Sequence, residues 1–202
     1  MRKNILAIIL LMAAAGSAVA QTSEKPENIP PPGVREVDVA LSNDTLQLKY
    51  IANGSKVGVR NTRFSGAFFL SEDRDIVLSG GLLFPVDYDL GRFNVVIGPQ
   101  LYAALLTEPT NDVMAVSIGA EVRFILEKEH DLAVMAFGYY APDILTFGSA
   151  DKVVDVGGQL ELPLSKKMRG FLGYRYFQFD LTQGQGNKKL QNQIYLGLGY
   201  RF

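Results

Sequence analysis

The last thirteen residues, Leu190 to Phe202, read LQNQIYLGLGYRF and constrain the fold more than any other stretch. Leu190, Asn192, Ile194, Leu196, Leu198, Tyr200 and Phe202 occupy one parity. Gln191, Gln193, Tyr195, Gly197, Gly199 and Arg201 occupy the other. A period of two defines a strand with one greasy and one polar face. A strand of this kind needs neighbours of the same kind, so the rest of the chain should repeat the pattern.

It does. Val37, Val39 and Leu41 alternate with Glu36, Asp38 and Ala40, and after Ser42-Asn43-Asp44 come Leu46, Leu48 and Tyr50, which predicts two short strands or one long bulged strand. Further strands are expected from about Val57 to Leu70, over Ile76 to Phe84, and over Phe93 to Ala103. Met114 to Phe124 alternates most clearly, with Ser117, Gly119, Glu121 and Arg123 on its polar face. Leu132 to Ala141 is apolar on both faces and hides its orientation, whereas Val154 to Leu162 and Arg169 to Leu181 alternate again. Segments of about ten alternating residues separated by turns are the pattern of an all-β, transmembrane antiparallel up-and-down barrel. The count is eight to ten strands, and the even-number rule with both ends on one side favours ten. A soluble periplasmic lipocalin-like barrel has the same alternation with the apolar face turned inward.

The opening residues, MRKNILAIILLMAAAGSAVA, place Arg2 and Lys3 before an apolar run and end on Ala18-Val19-Ala20. That order predicts a signal peptide over residues 1–20, cut between Ala20 and Gln21. Its apolar run is shorter than the roughly 20 residues a spanning helix needs. Residues 21–35, with Pro26, Pro30, Pro31 and Pro32, read as an extended periplasmic tail, and 36–202 as the barrel. The formal net charge is −1, and loss of Arg2 and Lys3 leaves 18 basic against 21 acidic residues. Neither value favours nucleic acid. With no cysteine, the chain has neither disulfides nor an N-terminal lipid anchor.

Catalytic chemistry has little to work with. His130, the sole histidine, lies in the charged turn Glu127-Lys128-Glu129-His130-Asp131, so no Ser-His pair or transition-metal cluster can be assembled without it. No catalytic, cofactor or metal residue is assigned. The polar faces are more informative. With apolar faces to lipid, Asp38, Lys49, Glu121, Arg123, Asp155, Glu161, Arg175 and Arg201 point into the lumen, four of each sign. Unpaired burial of charge is expensive, and a small barrel is narrow. Glu121, Arg123, Asp155, Glu161, Arg175 and Arg201 are therefore expected to form a charge network that plugs the lumen; a narrow polar conduit is the alternative.

The closing strand, with Tyr200 and a terminal Phe202, resembles the assembly signal of bacterial outer-membrane barrels. Phe137-Gly138-Tyr139-Tyr140-Ala141-Pro142-Asp143 and Gly173-Tyr174-Arg175-Tyr176 add a resemblance to the YfaZ-type outer-membrane proteins. That resemblance implies a small barrel in the outer membrane of a Gram-negative cell, with no reaction or catalytic residues attached. The absence of Trp leaves the aromatic belts to Tyr and Phe. The expectation is a monomeric, non-enzymatic structural or surface-interaction protein. Its partners would be outer-membrane lipid and, during biogenesis, periplasmic chaperones and the barrel-assembly machinery. A small diffusion channel and a soluble ligand-binding barrel are the alternatives.

Overall fold

The computed structural model describes residues 30, 34–59, 61–86, 92–107, 111–127, 132–182 and 186–202. The expected signal peptide, the Ala20/Gln21 cleavage site, most of the proline-rich tail and the turn holding His130 lie outside them.

Each alternating segment forms a strand. In chain order these are β1 (Arg35–Leu41), β2 (Thr45–Asn53), β3 (Arg63–Ser71), β4 (Ile76–Pro85), β5 (Phe93–Leu106), β6 (Asn111–Glu127) and β7 (Leu132–Ala141). There follow β8 (Thr146–Gly148), β9 (Ala150–Pro163), β10 (Met168–Leu181) and β11 (Asn187–Arg201). All pairings are antiparallel and run between consecutive wall strands, and β11 returns to β1. β8 continues the line of β7 after the 3-10 turn Asp143–Leu145 and pairs only with Val113–Ala115 of β6. Among the described residues the wall is thus a closed ring of ten staves. Where a long strand from Val57 was expected, Gly54–Val57 is a 3-10 turn capped by Asn53, whose side chain accepts from the Ser55 N–H, and β3 begins only at Arg63.

The barrel is inside-out compared with a soluble protein. Ile118 is 65% exposed and Ile194 66%, while Asp155 and Glu161 are 2% and 1% exposed. A soluble ligand-binding barrel turns its apolar faces inward; here they form the outer surface, far beyond what a water-soluble monomer tolerates. β7 settles its orientation the same way: Ala133, Met135, Tyr139 and Ala141 face in, Val134 and Tyr140 out. Outward ring pairs Phe93–Phe124 (4.6 Å) and Tyr200–Phe202 (6.2 Å) mark the end at which β1 begins and β11 finishes. We call this the near end. It also holds the turn Leu164–Lys167, whereas Ser42–Asp44 and Glu72–Asp75 lie at the far end.

The wall is uneven. β1 to β4 are 7 to 10 residues long, whereas β5, β6, β9, β10 and β11 have 14 to 17. β1 covers β11 only from Leu196 to Arg201, so β11 continues past the β1–β2 turn. A β-bulge there inserts Leu190 as an extra residue between Gln191, opposite Phe177, and Lys189, opposite Gln178. This corrects the sequence reading. The strict alternation puts Leu190 on the lipid side, but the bulge shifts the register and Leu190 is buried in the interior. Lys188 then reaches Asp73 (2.9 Å) and Asp75 (3.2 Å) across the low side of the wall.

The interior has two storeys. At the far end Phe69, Val77, Tyr102, Val153, Phe177, Phe179 and Leu190 belong to one apolar cluster. Phe177 of β10 packs edge-on against Phe69 of β3 (5.8 Å), and these strands are not neighbours in the sheet, so the contact spans the lumen. The near storey is polar, and its aromatic rings lie flat against the wall over inward-facing glycines. Phe171 is paired with Gly197, Tyr195 with Gly173, Tyr139 with Gly119 and Phe137 with Gly157. A Cβ on Gly197 would fall 2.1 Å from the Phe171 ring and 2.6 Å from the Val39 carbonyl oxygen.

Candidate functional site

The period of two, applied to staves of fixed register, sends charged side chains from many strands into one space. Three carboxylates organise it. Asp155 on β9 is gripped in bidentate fashion by Arg175 of β10, whose Nε donates to Oδ1 (2.7 Å) and Nη2 to Oδ2 (2.8 Å). Tyr102 of β5 donates its hydroxyl to the same carboxylate at 2.7 Å, and Arg175 Nη1 donates to Gln47 of β2 at 3.1 Å. The guanidinium also lies over Phe177 (4.5 Å to the ring centre) and Phe69 (5.4 Å). Fork-shaped pairing and stacking on a ring suit arginine and not lysine. This layer runs straight across the lumen beneath the apolar cluster.

Glu121 on β6 lies deeper in the polar storey. It accepts from Arg63 of β3 and from the Tyr139 hydroxyl (2.7 Å), with Lys49 at 3.5 Å. Glu161 on β9 accepts from Arg123 (2.8 Å), Arg169 (2.7 Å) and Gln159 (2.9 Å). Arg169 extends to Asp38 at 2.8 Å and to Glu36 at 2.5 Å, so it joins β10 to β9 and β1. The structure therefore brings Glu121, Arg123, Asp155, Glu161 and Arg175 into contact with charged partners inside the barrel. Arg201 stands apart. Its side chain is 51% exposed at the near mouth and touches Glu36 at only 3.5 Å.

Glu36, Arg63 and Arg169 are network members that the sequence reading left out. Each shares the inward parity of its strand but stands at or next to the strand's near end, where alternation is hardest to follow. The sequence reading gives no role to Tyr102, Tyr139 or Tyr195, although Tyr195 stands on the polar parity of the closing strand. Their hydroxyls are the neutral donors of the site, Tyr195 to Gln159 at 2.8 Å among them.

A cavity of about 870 Å³ occupies the near storey. It reaches from the turn Leu164–Lys167 inward to Gln100, Asp155 and Arg175, and no residue of the far apolar cluster lines it. Among the described residues it is a vestibule open at the near end and blind at the other. This differs from a lumen filled by charge alone: the charges line the open half, and aromatic and aliphatic side chains fill the closed half. Among the described residues no group of three or more His, Cys, Asp and Glu is arranged to hold a metal ion.

An antiparallel ring of ten staves, apolar outside and charged within, is a transmembrane β-barrel. The family profile described as YfaZ precursor matches residues 35–202, and the chain belongs to that family. No match was found among curated proteins. Among solved structures the chain is similar to the KdgM porin in complex with disordered oligogalacturonate, at 10% identity over 84% of this chain and 99% of that one, TM-score 0.47. It is also similar to the outer membrane channel DcaP of Acinetobacter baumannii, at 11% identity over 82% of this chain, TM-score 0.41. The chain spans 54% of the length of DcaP.

Proposed function

We propose that this protein is a non-enzymatic outer-membrane barrel of a Gram-negative envelope, with a structural or surface-interaction role and a lumen that is closed at rest. The observation that carries the reading is the transverse layer of Asp155, Arg175 and Tyr102 beneath the apolar cluster of Phe69, Phe177, Phe179 and Leu190. A buried bidentate pair roofed by aromatic rings supports a closed lumen, because a constriction of that kind resists wetting. Outer-membrane lipid covers the apolar belt, β11 is the strand offered to the assembly machinery after chaperoned transit, and the barrel works as a monomer.

A second reading, a narrow conduit, draws on one observation: the vestibule is large and already open to water on one side. Single-channel recording on the refolded protein separates the two. The closed-lumen reading expects little or no conductance from wild type and frequent openings after Phe177→Ala; large, steady wild-type currents would favour the conduit.

A further inference from the structure

We infer that the near-end vestibule is a binding site for a small multivalent anion, bearing phosphate or carboxylate groups, taken from the aqueous phase at the near end. The chain as a whole is slightly acidic. Its vestibule is not: among the described residues, eight lysine and arginine side chains line it against five aspartates and glutamates, a surplus of three positive charges. Walls of low dielectric focus such a surplus along the axis and raise the local concentration of anions.

The surplus lies where a ligand would meet it. Asp155 and Glu161 are satisfied by Arg175, Arg123 and Arg169. Lys166 and Lys167 sit exposed on the β9–β10 turn at the mouth, with Arg201 beside them holding Glu36 only loosely. Deeper in, Arg63 is buried, its side chain 9% exposed, and it lines the same cavity. One of its nitrogens is used on Glu121, but its Nε–H has no acceptor among the described residues. A buried donor without an acceptor is destabilising, and an acceptor supplied from solution would relieve that cost. The other unpartnered atoms do not compete for this role. Asp38 Oδ1 and Arg169 Nε both lie against Gly199, where a Cβ would fall 2.5 and 2.8 Å from them, and Glu36 Oε1 is 2.5 Å from Arg169. Arg63, which lines the cavity, is thus a buried cation with a donor to spare, and the mouth is cationic as well. A soluble anion, and not a lipid headgroup, fits because the vestibule opens along the barrel axis and not through the wall.

Calorimetric titration of pyrophosphate into the refolded full-length barrel in neutral detergent at low chloride tests this. The expected result is saturable binding of one anion per chain, weakened roughly tenfold by raising salt to physiological strength. Lys166→Glu with Lys167→Glu, on an exposed turn, should weaken it by roughly tenfold or more, because both charges stand at the entrance. Arg63→Lys keeps the charge and loses the Nε–H, and should weaken binding while the protein stays heat-modifiable. Lys189→Glu at the far end should change nothing. Absence of saturable binding to the folded protein would overturn the inference. So would an equal loss in the Lys189 variant, tighter binding of calcium than of pyrophosphate, or displacement of pyrophosphate by phosphatidylglycerol in nanodiscs. The inference does not depend on the far end being shut: a conducting wild type would contradict the closed-lumen reading and leave this one standing.

Discussion

Arg175 concentrates the physics of the interior in one residue. Its fork is spent on Asp155, its third nitrogen on Gln47, and its faces on Phe177 and Phe69. Arg175→Leu strands a buried carboxylate, and loss of one partner of such a pair costs about 3–5 kcal/mol. Equilibrium urea unfolding in detergent should show that loss, and a change below about 1 kcal/mol would mean that water already reaches the pair. The inward glycines make the opposite point, since here the absence of a side chain is what the neighbour needs. Gly197→Ala pushes a methyl group into Phe171 and the Val39 carbonyl, and overpacking of that kind costs about 1–3 kcal/mol. Gly80, whose Cβ would meet only the Ser65 carbonyl oxygen at 3.9 Å, should accept alanine within about 0.5 kcal/mol in the same assay. Parity alone exposed Glu121, Asp155 and Arg175 to view, because they sit in the middle of clean alternation. Arg63 was hidden by the 3-10 turn that precedes it, and which cation meets which carboxylate depends on register across the lumen, which a single sequence does not contain.

At the scale of the element, β11 does most to close the molecule. Phe202, the residue just after it, exchanges both backbone hydrogen bonds with the start of β1, Arg35 N–H to the Phe202 oxygen and Phe202 N–H to the Arg35 oxygen, each 2.9 Å. Yet the β1–β11 seam holds only six further pairs, against thirteen between β10 and β11. Loss of Phe202 therefore removes the hinge of a short seam as well as the terminal aromatic. Deleting it should cut the yield of folded, heat-modifiable protein far more than Lys189→Glu on the exposed far part of the same strand; equal yields would reject this role for the closing strand. The strand itself was legible from its alternation, and its lipid-facing side was right from Asn192 onward. The bulge was not legible, because an extra residue leaves the composition unchanged and shows only when Gln191 and Lys189 are matched to adjacent residues of β10. That one residue moves Leu190 from lipid to the core and lets β11 lean over the low β1–β4 side.

For the whole molecule, the inside-out distribution of polarity was readable in advance, and ten staves follow from the same alternation with both ends on one side. The split of the lumen into a wet, cationic vestibule and a dry aromatic cap was not, because Phe177, Phe179 and Val153 share the parity of the charged residues and look like breaks in the pattern. The split is the central claim, and the cysteine-free chain makes it directly measurable. Ala67 lines the vestibule, whereas Ala104 is buried in the cap. In nanodiscs, where both faces meet solvent, Ala67→Cys should react readily with a water-soluble, membrane-impermeant thiol reagent and Ala104→Cys should stay unmodified until the barrel is denatured. Comparable labelling of both cysteines in the folded protein would mean that water runs through the barrel, and would contradict the account.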